Sequence, residues 1–139
     1  MNVEEMAEII FKQLKPTSSN SLTEVLNEFS RGEVGILSFL AFDKNEVLAG
    51  ELSEKLGVST ARIASILNSL ENKEYIIRRE DDFDKRKTVV AITEKGSKLV
   101  ASTKKEIINK IIKVIKEIGC DEIKKYIEIT LKIRNVLDK

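Results

Sequence analysis

Apolar residues recur at helical spacing along most of the chain, and one short region switches to β-branched runs. Val3, Met6, Ile10 and Leu14 space out a first amphipathic helix, stopped at Pro16 and followed by a polar loop, Thr17–Asn20. Ser21–Phe29 repeats the pattern through Leu22, Val25, Leu26 and Phe29. Arg31-Gly32 breaks it, Val34–Phe42 reads as a buried apolar helix, and Asp43-Lys44-Asn45 is a turn. Leu48–Leu70 holds two helices around Gly57. Tyr75–Arg79 and Thr88–Ile92 flank the charged Glu80–Lys87, which is the pattern of a hairpin. Thr93 opens a long helix to about Ile118, Gly119 ends it, and a last helix runs from about Asp121 to Leu137. The pattern predicts a mainly α fold with a small β-hairpin.

The stretch Ala49–Leu70 meets the demands of two helices crossing at a tight turn. Gly57 takes a left-handed turn without steric cost. Leu52 and Leu56 face inward on the first helix, Val58 fills the turn, and Ile63, Ile66, Leu67 and Leu70 form the inner stripe of the second. Ser53 is small where the helices come closest, and Ser59 stands as the N-cap of the second. The spacing fits a helix-turn-helix, although a plain helical hairpin shares much of it. The outer face of the second helix separates the two. Thr60, Ala61, Arg62, Ala64, Ser65, Asn68 and Ser69 are small or hydrogen-bonding, with no carboxylate before Glu71. Such a face enters a major groove, where bulky side chains hold a helix off and acidic ones repel phosphate.

Composition narrows the function further. A chain of 139 residues, 42% hydrophobic and 34% charged, fits one domain with a real core. It contains no histidine and one cysteine, which excludes Ser-His-Asp and Cys-His nucleophile pairs, the usual zinc sites and any intramolecular disulfide. No paired carboxylates stand out either, so neither an enzyme, a cofactor nor a metal site is expected. There is no membrane-spanning apolar run, and Glu4, Glu5 and Glu8 stand where a secretory signal is basic, so a cytoplasmic protein is expected. A formal net charge of +1 lends a nucleic-acid partner little support, so that case rests on where the charges sit.

The hairpin loop concentrates them. Arg78, Arg79, Lys85, Arg86 and Lys87 are nearly cancelled by Glu80, Asp81, Asp82 and Asp84. An arginine at a hairpin tip suits a narrow minor groove, and Asp84 fits as a brace for Arg86. Asp84-Lys85-Arg86 followed by Ile92-Thr93-Glu94-Lys95-Gly96 resembles the wing signature of the MarR (multiple antibiotic resistance regulator) family, Asp-x-Arg then Leu-Thr-x-x-Gly. Leu67–Arg79 is similar to that family's run from the recognition helix into the wing, and the likeness covers about Ala49–Leu99. The resemblance implies a winged helix-turn-helix lobe at about 32–96 and a helical dimerisation base from about 1–30 and 97–139. It also implies a sequence-specific regulator of transcription, a repressor, contacting double-stranded DNA through Ser59, Thr60, Ala61, Arg62, Ser65, Asn68, Asp84, Lys85 and Arg86. Arg86 would be the minor-groove contact. Glu74 departs from the family's usual glycine and predicts a different cap on the recognition helix; Ser65 stands where many members carry a basic residue.

The terminal helices carry the remaining signal. Ile107, Ile108, Ile111, Ile112, Val114, Ile115 and Ile118, with Ile123, Tyr126, Ile127, Ile133 and Leu137, form more apolar surface than a small winged domain can cover. A homodimer with two-fold symmetry covers it and matches the family's arrangement. Two lobes so related imply a pseudo-palindromic site with half-site centres roughly 34–36 Å apart. A small-molecule effector is compatible with the family, but Phe11, Phe39 and Phe42 at helical spacing are expected in the core rather than in a pocket. Cys120, beside Asp121 and Glu122, is expected to be structural rather than redox-active. The competing reading is a winged helix used for protein contacts within a larger assembly.

Overall fold

The computed structural model describes residues 1–14 and 22–139; the expected stop at Pro16 and the loop Thr17–Asn20 lie outside the described residues. Two compact units divide the chain, residues 1–104 and 105–139, with the division inside one long helix. In the first unit the order is α1 (Val3–Leu14), α2 (Leu22–Ser30), α3 (Gly32–Phe42), β1 (Val47–Leu48), α4 (Ala49–Leu56), α5 (Thr60–Asn72), β2 (Ile76–Glu80), β3 (Thr88–Ile92) and the start of α6 (Glu94–Ile118). The second unit holds the rest of α6 and α7 (Cys120–Leu137).

The hairpin is part of a three-stranded antiparallel sheet in the order β1-β3-β2. Ile76 pairs with Ile92 and Glu80 with Thr88, while Val47 pairs with Val90 on the other edge. The strand β1 escaped the sequence pattern because it is two residues long, and Leu48 was assigned to the following helix. Asn45 secures this edge: its Oδ1 accepts from the backbone N–H of Ile92 at 3.0 Å.

One core holds the first unit together. Ile36, Leu37 and Leu40 of α3 meet Leu52 of α4, Ile63, Leu67 and Leu70 of α5, Val47, Ile76 and Val90 of the sheet, and Val100 of α6. The inner stripe predicted for α5 is therefore buried, apart from Ile66, which packs partly covered at its margin. Of the three phenylalanines expected in the core, Phe39 packs against it, but Phe11 and Phe42 are 61% and 52% exposed. Phe42 instead meets Phe29, with ring centroids 6.4 Å apart, and carries the Lys104 ammonium over its face.

The start of α6 explains two motif residues. Thr93 caps the helix, its Oγ1 accepting from the Gly96 N–H at 3.1 Å and donating to the Glu74 carbonyl at 2.7 Å. A Cβ on Gly96 would stand 2.3 Å from the Tyr75 carbonyl oxygen, so only glycine lets α6 approach the chain entering β2.

In the second unit, α7 has no buried residue, and Cys120 at its first position is exposed. No helix of the described residues is long and apolar enough to cross a membrane.

Candidate nucleic-acid interface

The helix pair α4 and α5 turns on Gly57, which sits at φ 62°, ψ 35° and closes α4 by donating to the Ser53 carbonyl. Ser53 adds a bond that its small size alone did not predict: its Oγ donates to the Val58 carbonyl across the turn. Ser59 then caps α5, accepting from the Arg62 N–H at 3.2 Å. These short-range bonds satisfy some of the free N–H and C=O groups where α4 ends and α5 begins, and hold the turn between them.

With the inner stripe committed to the core, Ser59, Thr60, Ala61, Arg62, Ala64, Ser65 and Asn68 are all exposed. No acidic residue lies among them. Ser69 departs from the expected outer face: it is half-buried and donates to Glu33 of α3. Lys73 closes on the same carboxylate at 2.9 Å. The Ser69 hydroxyl and then the Lys73 ammonium hold Glu33 below its usual 4.5.

The wing sorts its charges into two groups. Arg78 turns back onto α5, forking across Glu71 at 3.0 and 3.3 Å and reaching Asn68 Oδ1 at 2.7 Å. Arg79 lies 3.7 Å from Asp82 and 4.0 Å from Glu46. Lys85, Arg86 and Lys87 remain exposed in the loop. Arg86 is fixed by Asp84, whose Oδ1 accepts from Nε at 3.1 Å and whose Oδ2 accepts from Nη2 at 3.2 Å. The Arg86 backbone N–H also donates to Oδ1 at 3.1 Å. Its side-chain bond and then its backbone bond hold the Asp84 carboxyl below 3.8. Asp84 is itself set by donating its N–H to Asp81 Oδ2 and by its carbonyl accepting from the Lys87 N–H. The guanidinium is thus oriented while its side chain stays 91% exposed.

Thr60 at the start of α5, Arg86 in the wing and Glu51 and Glu54 of α4 line one open cleft of about 550 Å³. The structure brings the helix residues and the wing residues onto one unit, Asp84 being the half-buried member. Sequence reasoning missed the tie from Arg78 to Asn68 and the Ser69–Glu33 bond. Both join residues from different elements, and neither spacing carries a signal. Phe83, 98% exposed in the loop beside Asp84, was missed as well, although its place in a charged run was visible.

The sequence matches the family described as winged helix DNA-binding domain over residues 33–112. It is 25% identical over 112 residues to YdgJ, an uncharacterized HTH-type transcriptional regulator of Bacillus subtilis, covering 81% of this chain and 68% of that one. A MarR transcriptional regulator from Methanosarcina mazei shares the fold at a TM-score of 0.60 and 24% identity, over 84% of this chain and 86% of that one. Streptococcus pneumoniae FabT, solved in complex with DNA, is similar at a TM-score of 0.63 and 20% identity, over 98% and 95% of the two chains.

Proposed function

Because this chain belongs to the winged helix DNA-binding domain family, with the MarR-type fold of its structural neighbours, we propose that it regulates transcription by binding a pseudo-palindromic duplex as a homodimer. In this reading α5 enters the major groove and Arg86 the minor groove. Bound over a promoter in the cytoplasm, the dimer acts as a repressor by occlusion. The region at about 32–96 makes the DNA lobe, and about 1–30 with 97–139 makes the dimer base.

The observation that carries the proposal is the pairing of two features on one unit. One is an exposed helix face, Thr60–Asn68, without a carboxylate; the other is a wing arginine held in place by Asp84 but left 91% exposed. A preformed fork loses little freedom when it enters a groove, so its contacts count toward affinity. Near-neutral net charge limits the number of phosphates the protein neutralises, which keeps non-specific binding weak and leaves discrimination to groove contacts.

The test is selection of duplexes from a random library by the purified protein, followed by fluorescence anisotropy at two salt concentrations. A selected duplex is expected to bind at least about a hundredfold tighter than random duplex. Arg86→Ala is expected to weaken that binding by roughly tenfold with the dimer intact, since charge-assisted bonds to nucleic acid are lost. Equal binding of selected and random duplex would instead favour a winged helix that docks on protein.

A further inference from the structure

The wing tip consists of two successive turns. Asp81 Oδ2 accepts from the Asp84 N–H at 3.1 Å, and the Asp84 carbonyl accepts from the Lys87 N–H at 2.9 Å. The Lys87 carbonyl accepts from the Asp81 N–H at 3.0 Å and closes the loop at its base. The corner residues Asp81 and Asp84 are half-buried, whereas the central ones, Asp82 and Phe83 in the first turn and Lys85 and Arg86 in the second, are exposed. Phe83 is 98% exposed, more than any other large apolar side chain among the described residues. It stands on a loop pinned by its own hydrogen bonds, outside the core and away from the terminal helices.

We infer that Phe83 is a DNA contact whose ring enters the minor groove with Arg86 and packs on the deoxyribose wall there. From Arg79 to Lys87 the loop carries four basic residues, Arg79, Lys85, Arg86 and Lys87, and four acidic ones, Glu80, Asp81, Asp82 and Asp84. That balance supplies no net attraction to phosphate, so the hold of this wing on a duplex needs a contact that is not ionic. Three of the acids are engaged within the loop: Asp84 by Arg86, Asp81 by the Asp84 N–H, and Asp82 by Arg79 at 3.7 Å. The tip therefore offers an apolar ring and an oriented guanidinium three residues apart. The minor groove matches both, with sugar walls for the ring and a negative potential for the cation. An apolar protein surface would match the ring alone and leave Lys85 and Arg86 desolvated without a counter-charge. The inference rests on the DNA-binding reading above and adds a contact that the charge pattern does not contain.

The experiment follows anisotropy across a series of salt concentrations on a duplex selected by the native protein. Phe83→Ala is expected to weaken binding about tenfold at every salt concentration. The slope of log affinity against log salt should stay as in the native protein, because an apolar contact releases no counterion. Arg86→Ala gives the contrast, a slope shallower by about one. Phe83→Leu keeps an apolar side chain and is expected to bind within about threefold of native. Both Phe83 variants are expected to fold as the native protein does, since the ring lies outside the core. Diaminopurine in place of adenine adds an amine to the minor groove and leaves the major-groove edge unchanged. Scanned through the duplex, it is expected to weaken the native protein by at least about fivefold where the wing lies, and Phe83→Ala by less. Native affinity in Phe83→Ala, a slope lowered as in Arg86→Ala, or equal diaminopurine losses in the two proteins overturns the inference while leaving DNA binding in place. A native protein that binds selected and random duplex equally overturns both.

Discussion

Glu74, like Glu46, holds a left-handed backbone on a residue with a Cβ, at φ 66°. The chain leaves α5 through the 6→1 bond from the Tyr75 N–H to the Leu70 carbonyl at 2.9 Å, and that closure requires a left-handed residue at Glu74. The sequence predicted a different cap because glycine is missing there. The backbone keeps the ordinary left-handed cap and accepts the strain, since β2 must start where Tyr75 can bond Thr93 and receive Gly96. Glu74→Gly is therefore expected to stabilise the protein by about 0.5–1 kcal/mol, as the Cβ–carbonyl clash is relieved and the solvent-exposed pairing with Lys95 contributes little. Thermal denaturation by circular dichroism checks it: Tm should rise by a few degrees, and a lower Tm would mean that the Glu74 side chain matters more than its backbone.

The apolar crossing of α4 and α5 and the polar tie from α5 to α3 differ in what they leave in the sequence. The spacing of Leu52, Gly57, Ile63 and Leu67 made the α4–α5 crossing visible, because periodic burial leaves a periodic trace. Glu33, Ser69 and Lys73 left none, since a carboxylate of α3, a hydroxyl of α5 and the ammonium just past its end meet only after the core has set the two helices side by side. The Glu33 carboxyl lies below 4.5 in the folded protein, so the unfolded chain binds the extra proton as pH falls. The stability it contributes is complete above the ordinary glutamate range and is lost as pH drops through the lowered folded value. Glu33→Gln should accordingly cost on the order of 1 kcal/mol at pH 7. The gap between native and variant should narrow as pH falls below the ordinary glutamate range and through the lowered folded value. Urea denaturation at pH 7 and pH 3.5 measures this, and a gap that stays constant would show that the carboxylate charge is not what binds α3 to α5.

At the level of the whole molecule, the terminal helices expose apolar residues that the first unit's core does not use. Val3, Ile10, Phe11 and Leu14 of α1 are more than half exposed, as are Ile127, Ile129, Ile133, Val136 and Leu137 of α7. Neither helix has a fully buried residue. Surface of this extent on helices with polar residues between is the kind that a second copy covers. In the homodimer proposed above, Ile133→Glu with Val136→Glu should reduce the sedimenting species to a single chain and weaken binding to a two-half-site duplex at least about tenfold, since two linked lobes gain from effective concentration. Both substitutions lie in the second unit, so the fold of residues 1–104 should stay intact by circular dichroism. A variant that still sediments as a dimer would place the interface elsewhere.

Periodicity, the left-handed turn at Gly57 and the Thr93–Gly96 motif were enough to set out the helices, the hairpin and the carboxylate-free face of α5. These depend on residues close in sequence, where spacing and backbone preference act directly. The wing brace of Arg86 by Asp84 was legible for the same reason, being two residues long. Tertiary structure alone decided the third strand, whose two residues are too few to carry a pattern. It alone turned Ser69 inward to Glu33 and joined Arg78 to Asn68, because those contacts form between elements that only the packed core of α3, α5 and the sheet brings within hydrogen-bonding distance.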